Sequence, residues 1–358
     1  MNDRRTPDRP VLISGGCGFI GCNLADALAR RGEQVIAFDN LSRAGGRENA
    51  QWLKSRHGDQ ISIVAGDVRD SISVIEVVRA ARAVLHLAGQ VAVTGSLQDP
   101  VDDFETNARG TLNTLEAIRL HNPSAPMIFA STNKVYGRLV QDEHIKQVGR
   151  RHLPTDPGFS HGVGEDAPLD FYSPYGCSKG AADQYVRDYA RVYAMNTAVL
   201  RMSCIYGPRQ FGTEDQGWLA HFVLRSILGE PITIFGDGFQ VRDALHVSDA
   251  VSAWIAVLDN IETVRGRFFN LGGGMANAIG LLELIDQIGE MRGVTPSYSF
   301  DQWRPGDQPW YVSRIEAIAS AVGWRPRVPL RQGLRSLLDW LEGRFGPAHT
   351  SPAREVRV

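Results

Sequence analysis

Pro10-Val11-Leu12-Ile13-Ser14-Gly15-Gly16-Cys17-Gly18-Phe19-Ile20-Gly21 is a short apolar run that breaks into a glycine-rich turn, and an amphipathic stretch from Asn23 to Arg31 follows it. That order reads as strand, turn, helix. Glycines at 15, 18 and 21 let the backbone turn tightly, approach a pyrophosphate and pack the helix on the strand, while the helix amino terminus favours negative charge. The flanking strand and helix separate this G-x-x-G-x-x-G spacing from an ordinary loop. The next apolar run, Gln34 to Phe38, ends on Asp39, about 20 residues beyond the glycines, where a carboxylate can bind both ribose hydroxyls and repel a 2′-phosphate. The pattern predicts NAD rather than NADP. Arg43, close by, suits either a 2′-phosphate contact or a solvated loop.

The alternation continues. Ile61 to Ala65 ends in Gly66-Asp67-Val68, and Ala83 to Leu87 ends in Ala88-Gly89-Gln90. Pro100 to Leu120 is a long helical pattern, and Met127 to Ala130 is a further buried strand that delivers Ser131 and Thr132. Strands alternating with helices predict an α/β fold with an open, doubly wound parallel sheet, and ligands lie across the carboxyl ends of such strands. Asp67 and Val68 then fit the adenine edge, and Ala88 and Gly89 the centre of the cofactor. His86 lies inside its strand and reads as a core residue rather than a catalyst.

Phe171-Tyr172-Ser173-Pro174-Tyr175-Gly176-Cys177-Ser178-Lys179 carries the chemistry. Pro174 suits the first turn of a helix, so Tyr175 and Lys179, four residues apart, share one face. An ammonium beside a phenol favours the phenolate, and the pairing predicts a tyrosine pKa lowered towards the working pH. That is an acid/base device for alcohols.

Composition removes other classes. The 358 residues are 43% hydrophobic and 22% charged with a net charge of -2, so no electrostatic footprint for nucleic acid or an anionic membrane is present. The four cysteines and nine histidines show neither metal-ligand spacing nor a disulfide framework. No run is long enough to span a bilayer and the polar start has no signal-peptide core, which predicts a cytoplasmic protein.

The glycines at 15, 18 and 21, Asp39, Asp67-Val68, His86-Leu87-Ala88-Gly89, Asn107 with Gly110-Thr111, Ser131-Thr132 with Val135-Tyr136-Gly137, and Tyr175 with Lys179 together resemble the extended short-chain dehydrogenase/reductase family of nucleotide-sugar epimerases and dehydratases. The resemblance runs from Val11 to about Leu341. It implies a Rossmann-type domain with bound NAD over residues 1–205, carrying an insertion at 138–170, and a smaller carboxyl-terminal substrate lobe over 206–345, followed by a tail at 346–358. It also implies that Tyr175 is the acid/base, that Lys179 holds the nicotinamide ribose, and that Thr132 lies beside the reacting sugar oxygen. Phe19, Ile20, Asn40, Ser42, Arg43, Leu87, Gln90 and Asn107 join the residues already named as cofactor contacts. Asn133, Arg209, Trp218, Arg242 and Arg304 are the expected substrate contacts, with Arg242 and Arg304 clamping the diphosphate, which a guanidinium fork suits.

Dehydratases similar to this chain carry an Asp-Glu pair after the threonine, because elimination needs an acid for the leaving hydroxyl and a base for a carbon-bound proton. Asn133-Lys134 stands there instead. What remains is oxidation and re-reduction of one alcohol carbon. Ser131 to Gly137, Ser173 to Tyr185, Arg209-Gln210-Phe211 and Asp215 to Trp218 are most similar to the branch that epimerises carbon 2 of CDP-linked deoxyhexoses. UDP-hexose 4-epimerisation and an inactive NAD-sensing protein are the rival expectations. The insertion at 138–170 is read as a substrate cover, with an inert surface excursion as the alternative, and the resemblance implies a homodimer or homotetramer.

Overall fold

The computed structural model describes residues 9–346. The first half runs β1 (Val11–Ser14), α1 (Phe19–Arg30), β2 (Val35–Asp39), α2 (Gly46–His57), β3 (Ile61–Ala65), α3 (Ser71–Ala80), β4 (Ala83–His86), α4 (Val93–Gln98), α5 (Pro100–Phe104), α6 (Gly110–His121) and β5 (Met127–Thr132). Then come β6 (Ile145–Val148), β7 (Arg151–Pro154), α7 (Pro174–Val192), β8 (Thr197–Met202), β9 (Cys204–Tyr206), α8 (Trp218–Leu228), β10 (Ile232–Phe235) and β11 (Val241–His246). The rest is α9 (Val247–Asp259), β12 (Phe268–Leu271), β13 (Ala278–Gly280), α10 (Leu281–Arg292), β14 (Tyr298–Asp301), β15 (Trp310–Tyr311), α11 (Glu316–Val322) and α12 (Leu330–Phe345).

Seven strands form one parallel sheet in the order β12-β8-β5-β4-β1-β2-β3. Strand residues alternate between its faces. Val11 and Ile13 pack under α1, α2 and α9, whereas Leu12 packs with α3 and α6 on the other side. Ser14 is in register with both Phe38 and His86, so the chain order reverses at β1 and opens a crevice at the carboxyl ends of β1 and β4. The sequence-predicted doubly wound sheet is therefore present, and α1 begins four residues earlier than the hydrophobic pattern suggested, directly behind Gly18.

The 100–120 helix is not continuous. A π-type turn at Glu105–Arg109 separates α5 from α6 and turns Asn107 inward, where its amide donates to Asp103 and to Ser178 of α7. A hydrophobic repeat cannot register such an extra residue. A second cluster, from α8, α10, α12 and β10, forms the core of the other lobe, while α9, α11 and β12 return to the first. The polar start up to residue 8 and the tail after Gly346 lie outside the described residues.

The insertion differs from its expected role. Its hairpin β6-β7 docks on α10, where Arg151 pairs with Glu283 at 2.6 Å and Arg150 with Asp286 at 2.8 Å, and His152 meets Asp237 at 2.8 Å. Val140 and Val163 complete an apolar cluster with Val241, Trp310 and Tyr311. Charge pairing with α10 and burial against β11 and β15 carry the segment to the outside of the lobe. None of the described residues in 138–170 lines the cavity beside Tyr175.

Candidate active site

Gly18 caps α1 without a side chain, so no cap occupies the first-turn N–H groups where an anion would sit. Gly15 has φ of 70° and a Cβ there would lie 2.8 Å from the Ala88 nitrogen; at Gly21 it would lie 2.1 Å from the Gly15 carbonyl. Close approach demands glycine at both positions. Asp39 accepts from the Cys17 N–H at 3.0 Å and the Leu41 N–H at 2.8 Å. The carboxylate expected to bind ribose hydroxyls thus also ties the glycine turn to the loop after β2. Asn40 donates to Asp67 at 2.9 Å and Ser42 to Asn40 at 2.7 Å. Hydrogen bonds from Arg69 hold the Asp67 carboxyl down at about 2 despite partial burial. Arg43, expected among the cofactor contacts or as a solvated loop residue, donates to Gln216 of the other lobe at 2.7 Å.

Tyr175 enters on α7 as expected: Pro174 is in the first turn, and the Ser173 hydroxyl caps the helix by accepting from Gly176 N–H at 3.2 Å. The Tyr175 N–H donates to Ser96 at 3.1 Å. Tyr175 and Lys179 are both buried, and the Lys179 ammonium lies 4.3 Å from the Phe129 ring centre. Among the described residues it has no hydrogen bond or ion pair. Asn107 Oδ1 is likewise buried without a partner among them. Both converge on Gly89, where a Cβ would lie 2.6 Å from Asn107 Oδ1 and 3.7 Å from Lys179 Nζ. A donor and an acceptor left unpaired around one point are costly unless a ligand satisfies them, and a ribose hydroxyl does both. The residues fit a nicotinamide dinucleotide.

The electrostatics correct one expectation. Burial pushes Tyr175 up to about 12, with the Thr132 hydrogen bond and then the Arg43 charge pulling the other way. Burial also pushes Lys179 down to about 7, against the attraction of Asp103 and Asp183. Burial dominates at both groups and Lys179 is not among the charges acting on Tyr175, so the chain's own residues do not depress the phenol. His86 is the expected core residue: fully buried, bonded to Ser14 at 2.7 Å and pushed to about 3 by burial and then by the Lys179 charge.

A cavity of about 360 Å³ opens beside Tyr175 between the turn at 131–134, β9, α8, β10 and the loop at 304–307. Arg242 is buried and donates to Asp307 at 2.6 Å. Arg304 donates to the Glu214 carbonyl at 2.9 Å, its guanidinium carbon 3.7 Å from the Phe235 ring centre. Trp218 donates to Cys204 Sγ at 3.3 Å and meets Phe222 edge-on, which fixes its ring as a wall. Asn133 donates to Gln308 at 3.0 Å. Arg209 is not brought into this group. At φ of 74° its guanidinium lies 4.0 Å from the Trp52 ring centre and 3.9 Å from Glu48, away from the cavity lining. Sequence reading missed Asp307 as the Arg242 partner, although it stands in the same turn-rich loop as Arg304, because nothing local pairs residue 307 with residue 242.

With the positive nicotinamide of a bound dinucleotide beside it, the phenol would be drawn back towards ionisation and could take a proton from an alcohol next to a hydride acceptor, which defines a Rossmann-fold enzyme of the nicotinamide class. The chain belongs to the NAD dependent epimerase/dehydratase family, whose model matches residues 11–272. It is 42% identical over 337 residues to CDP-paratose 2-epimerase of Salmonella typhi, covering 92% of this chain and 98% of that one. Among solved structures it is similar to the UDP-glucose 4-epimerase of Thermus thermophilus in complex with NAD, at 31% identity and a TM-score of 0.79 over 94% of this chain and 99% of that one. It is also similar to the Thermotoga maritima UDP-glucose 4-epimerase with UDP-glucose, at 28% identity and a TM-score of 0.80 over 93% and 99%. NAD is the cofactor.

Proposed function

We propose that this enzyme inverts carbon 2 of a CDP-linked deoxyhexose by transient oxidation and re-reduction. The observation that carries the reading is Asn133-Lys134 beside Thr132 and Tyr175. Asn133 is spent on Gln308, and Lys134 donates to the Gly306 carbonyl at 3.1 Å, so neither position supplies the acid or base of an elimination. Asp307 is no substitute: although burial alone would raise it, Arg242 and then Lys134 hold its carboxyl below the ordinary value, which makes a weak base.

NAD, when bound, supplies the hydride acceptor and donor. Gly15, Gly18, Phe19, Ile20 and Gly21 hold its pyrophosphate, Asp39 its ribose, Asn40, Ser42, Asp67 and Val68 the adenosine side, and Leu87, Ala88, Gly89, Gln90, Asn107 and Lys179 the nicotinamide side. Tyr175 takes the hydroxyl proton and later returns it, with Thr132 orienting the same oxygen. Arg242 and Arg304 anchor the diphosphate while the keto sugar turns over in the cavity, and Trp218 walls the nucleotide end. Residues 206–345, apart from α9, β12 and α11, act as the substrate lobe.

The likeness to CDP-paratose 2-epimerase supports the nucleotide and the carbon. UDP-hexose 4-epimerisation is the second reading, favoured by the two solved structures. The joint presence of Thr132, Tyr175 and Lys179 speaks against an inactive NAD sensor. A cytoplasmic homodimer or homotetramer is the working form we propose; exposed Val101 and Phe104 on α5 and Val192 on α7 support association, and no described helix is long and apolar enough to cross a membrane. Assayed on CDP-, UDP-, GDP- and dTDP-linked sugars, the purified protein is expected to epimerise CDP-paratose with the highest kcat/KM. A higher value on UDP-glucose would overturn the assignment in favour of the second reading.

A further inference from the structure

We propose that Lys134 receives the sugar-proximal phosphate of the substrate and so turns carbon 2, rather than carbon 4, towards Tyr175. The inference rests on the function proposed above.

Lys134 stands two residues beyond Thr132, and its N–H donates to the Thr132 hydroxyl at 3.2 Å, which fixes its backbone to the catalytic turn. Its ammonium lines the cavity and, among the described residues, has one hydrogen bond within 3.5 Å, to the Gly306 carbonyl. An ammonium has three donors, so two remain. The nearest carboxylate, Asp307, is 3.8 Å away and already bonded to Arg242 at 2.6 Å. Two cations thus share one anion in a cavity that Thr132 also lines, and burial, which pushes the Lys134 ammonium down, is offset only in part by Asp307, so a further anion there would stabilise the charge. Such a charge suits a phosphate oxygen.

Stereochemistry says why the charge belongs there. In a nucleotide sugar the phosphate is carried by carbon 1. When the carbon 2 hydroxyl is offered to Tyr175, the phosphate lies on the adjoining carbon and must enter the catalytic turn. When carbon 4 is offered, the phosphate lies across the ring and needs no cation at that turn. A carboxylate at position 134, as elimination requires, would repel the phosphate in the first pose. Arg242 and Arg304 hold the diphosphate at the lobe side, and Lys134 selects how far the sugar is drawn in.

CDP and CMP separate this contact from the rest of the nucleotide site, because CMP lacks the sugar-proximal phosphate. Calorimetric titration of the NAD-loaded enzyme is expected to show CDP binding more tightly than CMP. Lys134→Met should weaken CDP about tenfold, as loss of a charge-assisted hydrogen bond does, and leave CMP unchanged. Lys134→Gln, which can still donate to Gly306, should show the same selective loss, and Lys134→Arg should restore most of it. Unchanged CDP affinity in the Met and Gln variants, or an equal fall for CMP, would overturn the proposal. Should the wild type bind UDP and not CDP, the nucleotide assignment fails, and the Lys134 contact is then decided by the same comparison of UDP with UMP.

Discussion

Tyr175→Phe is expected to lower turnover by about a hundredfold or more, the range typical of a general acid/base group, while leaving the fold and the bound NAD in place. The substitution keeps the ring, which is buried against the turn at 131–134, and removes only the hydroxyl that meets Thr132. Single-turnover epimerisation measures the loss, and denaturing the purified variant should release as much NAD as the wild type. Because the hydride is returned within one cycle, the cofactor has no need to leave, and Asp39, which is tied to the glycine turn through the Cys17 N–H, is expected to help retain it. Near-wild-type turnover would remove Tyr175 from the mechanism. NADP in the released cofactor would remove the argument from Asp39.

Asp183→Ala is expected to produce the largest loss of stability. Asp183 and Arg201 are both buried, with Nε to Oδ2 at 2.9 Å and Nη2 to Oδ1 at 3.0 Å. The Ser131 hydroxyl donates to the same carboxylate at 2.8 Å, and Arg201 continues to the Tyr136 hydroxyl at 3.0 Å. One network therefore joins β5, the turn after it, α7 and β8, the elements that carry Thr132 and Tyr175. Removing the carboxylate strands a guanidinium out of water, which costs about 3–5 kcal/mol. Urea unfolding should show it as a lower midpoint. A well-packed apolar double replacement, Asp183→Leu with Arg201→Met, should recover most of the loss, since an intact buried pair is itself of small net value. An Asp183→Ala cost under about 1 kcal/mol would mean that the network does not hold this corner of the site.

Strands β1, β2, β4 and β5 were legible because they are buried on both faces and read as apolar runs, and the turn after β1 because Gly15 and Gly21 have a steric reason to be glycine; β8 and β12 of the same sheet were not read. Tyr175 and Lys179 were legible from Pro174, which fixes the helix start and hence the shared face. Long-range partners were not. Asp307 with Arg242, Gln308 with Asn133 and Gln216 with Arg43 join residues 65 to 175 positions apart, and no local spacing encodes such pairs. The phenol was misjudged for a related reason: helical spacing gives proximity, whereas the burial that pushes Tyr175 up and Lys179 down is set by the whole site. Whether the segment at 138–170 covers the substrate or lies on the surface was left open because length alone does not say what a segment packs against, and here Glu283 and Asp286 tie it to α10.

Mass spectrometry of the product sugar after many turnovers in deuterium oxide tests the central claim most directly. If the hydrogen at the inverted carbon travels to NAD and back, it never meets solvent, and that position stays protiated. Deuterium bound to the inverted carbon, or a product lighter by one water, would contradict epimerisation by hydride transfer.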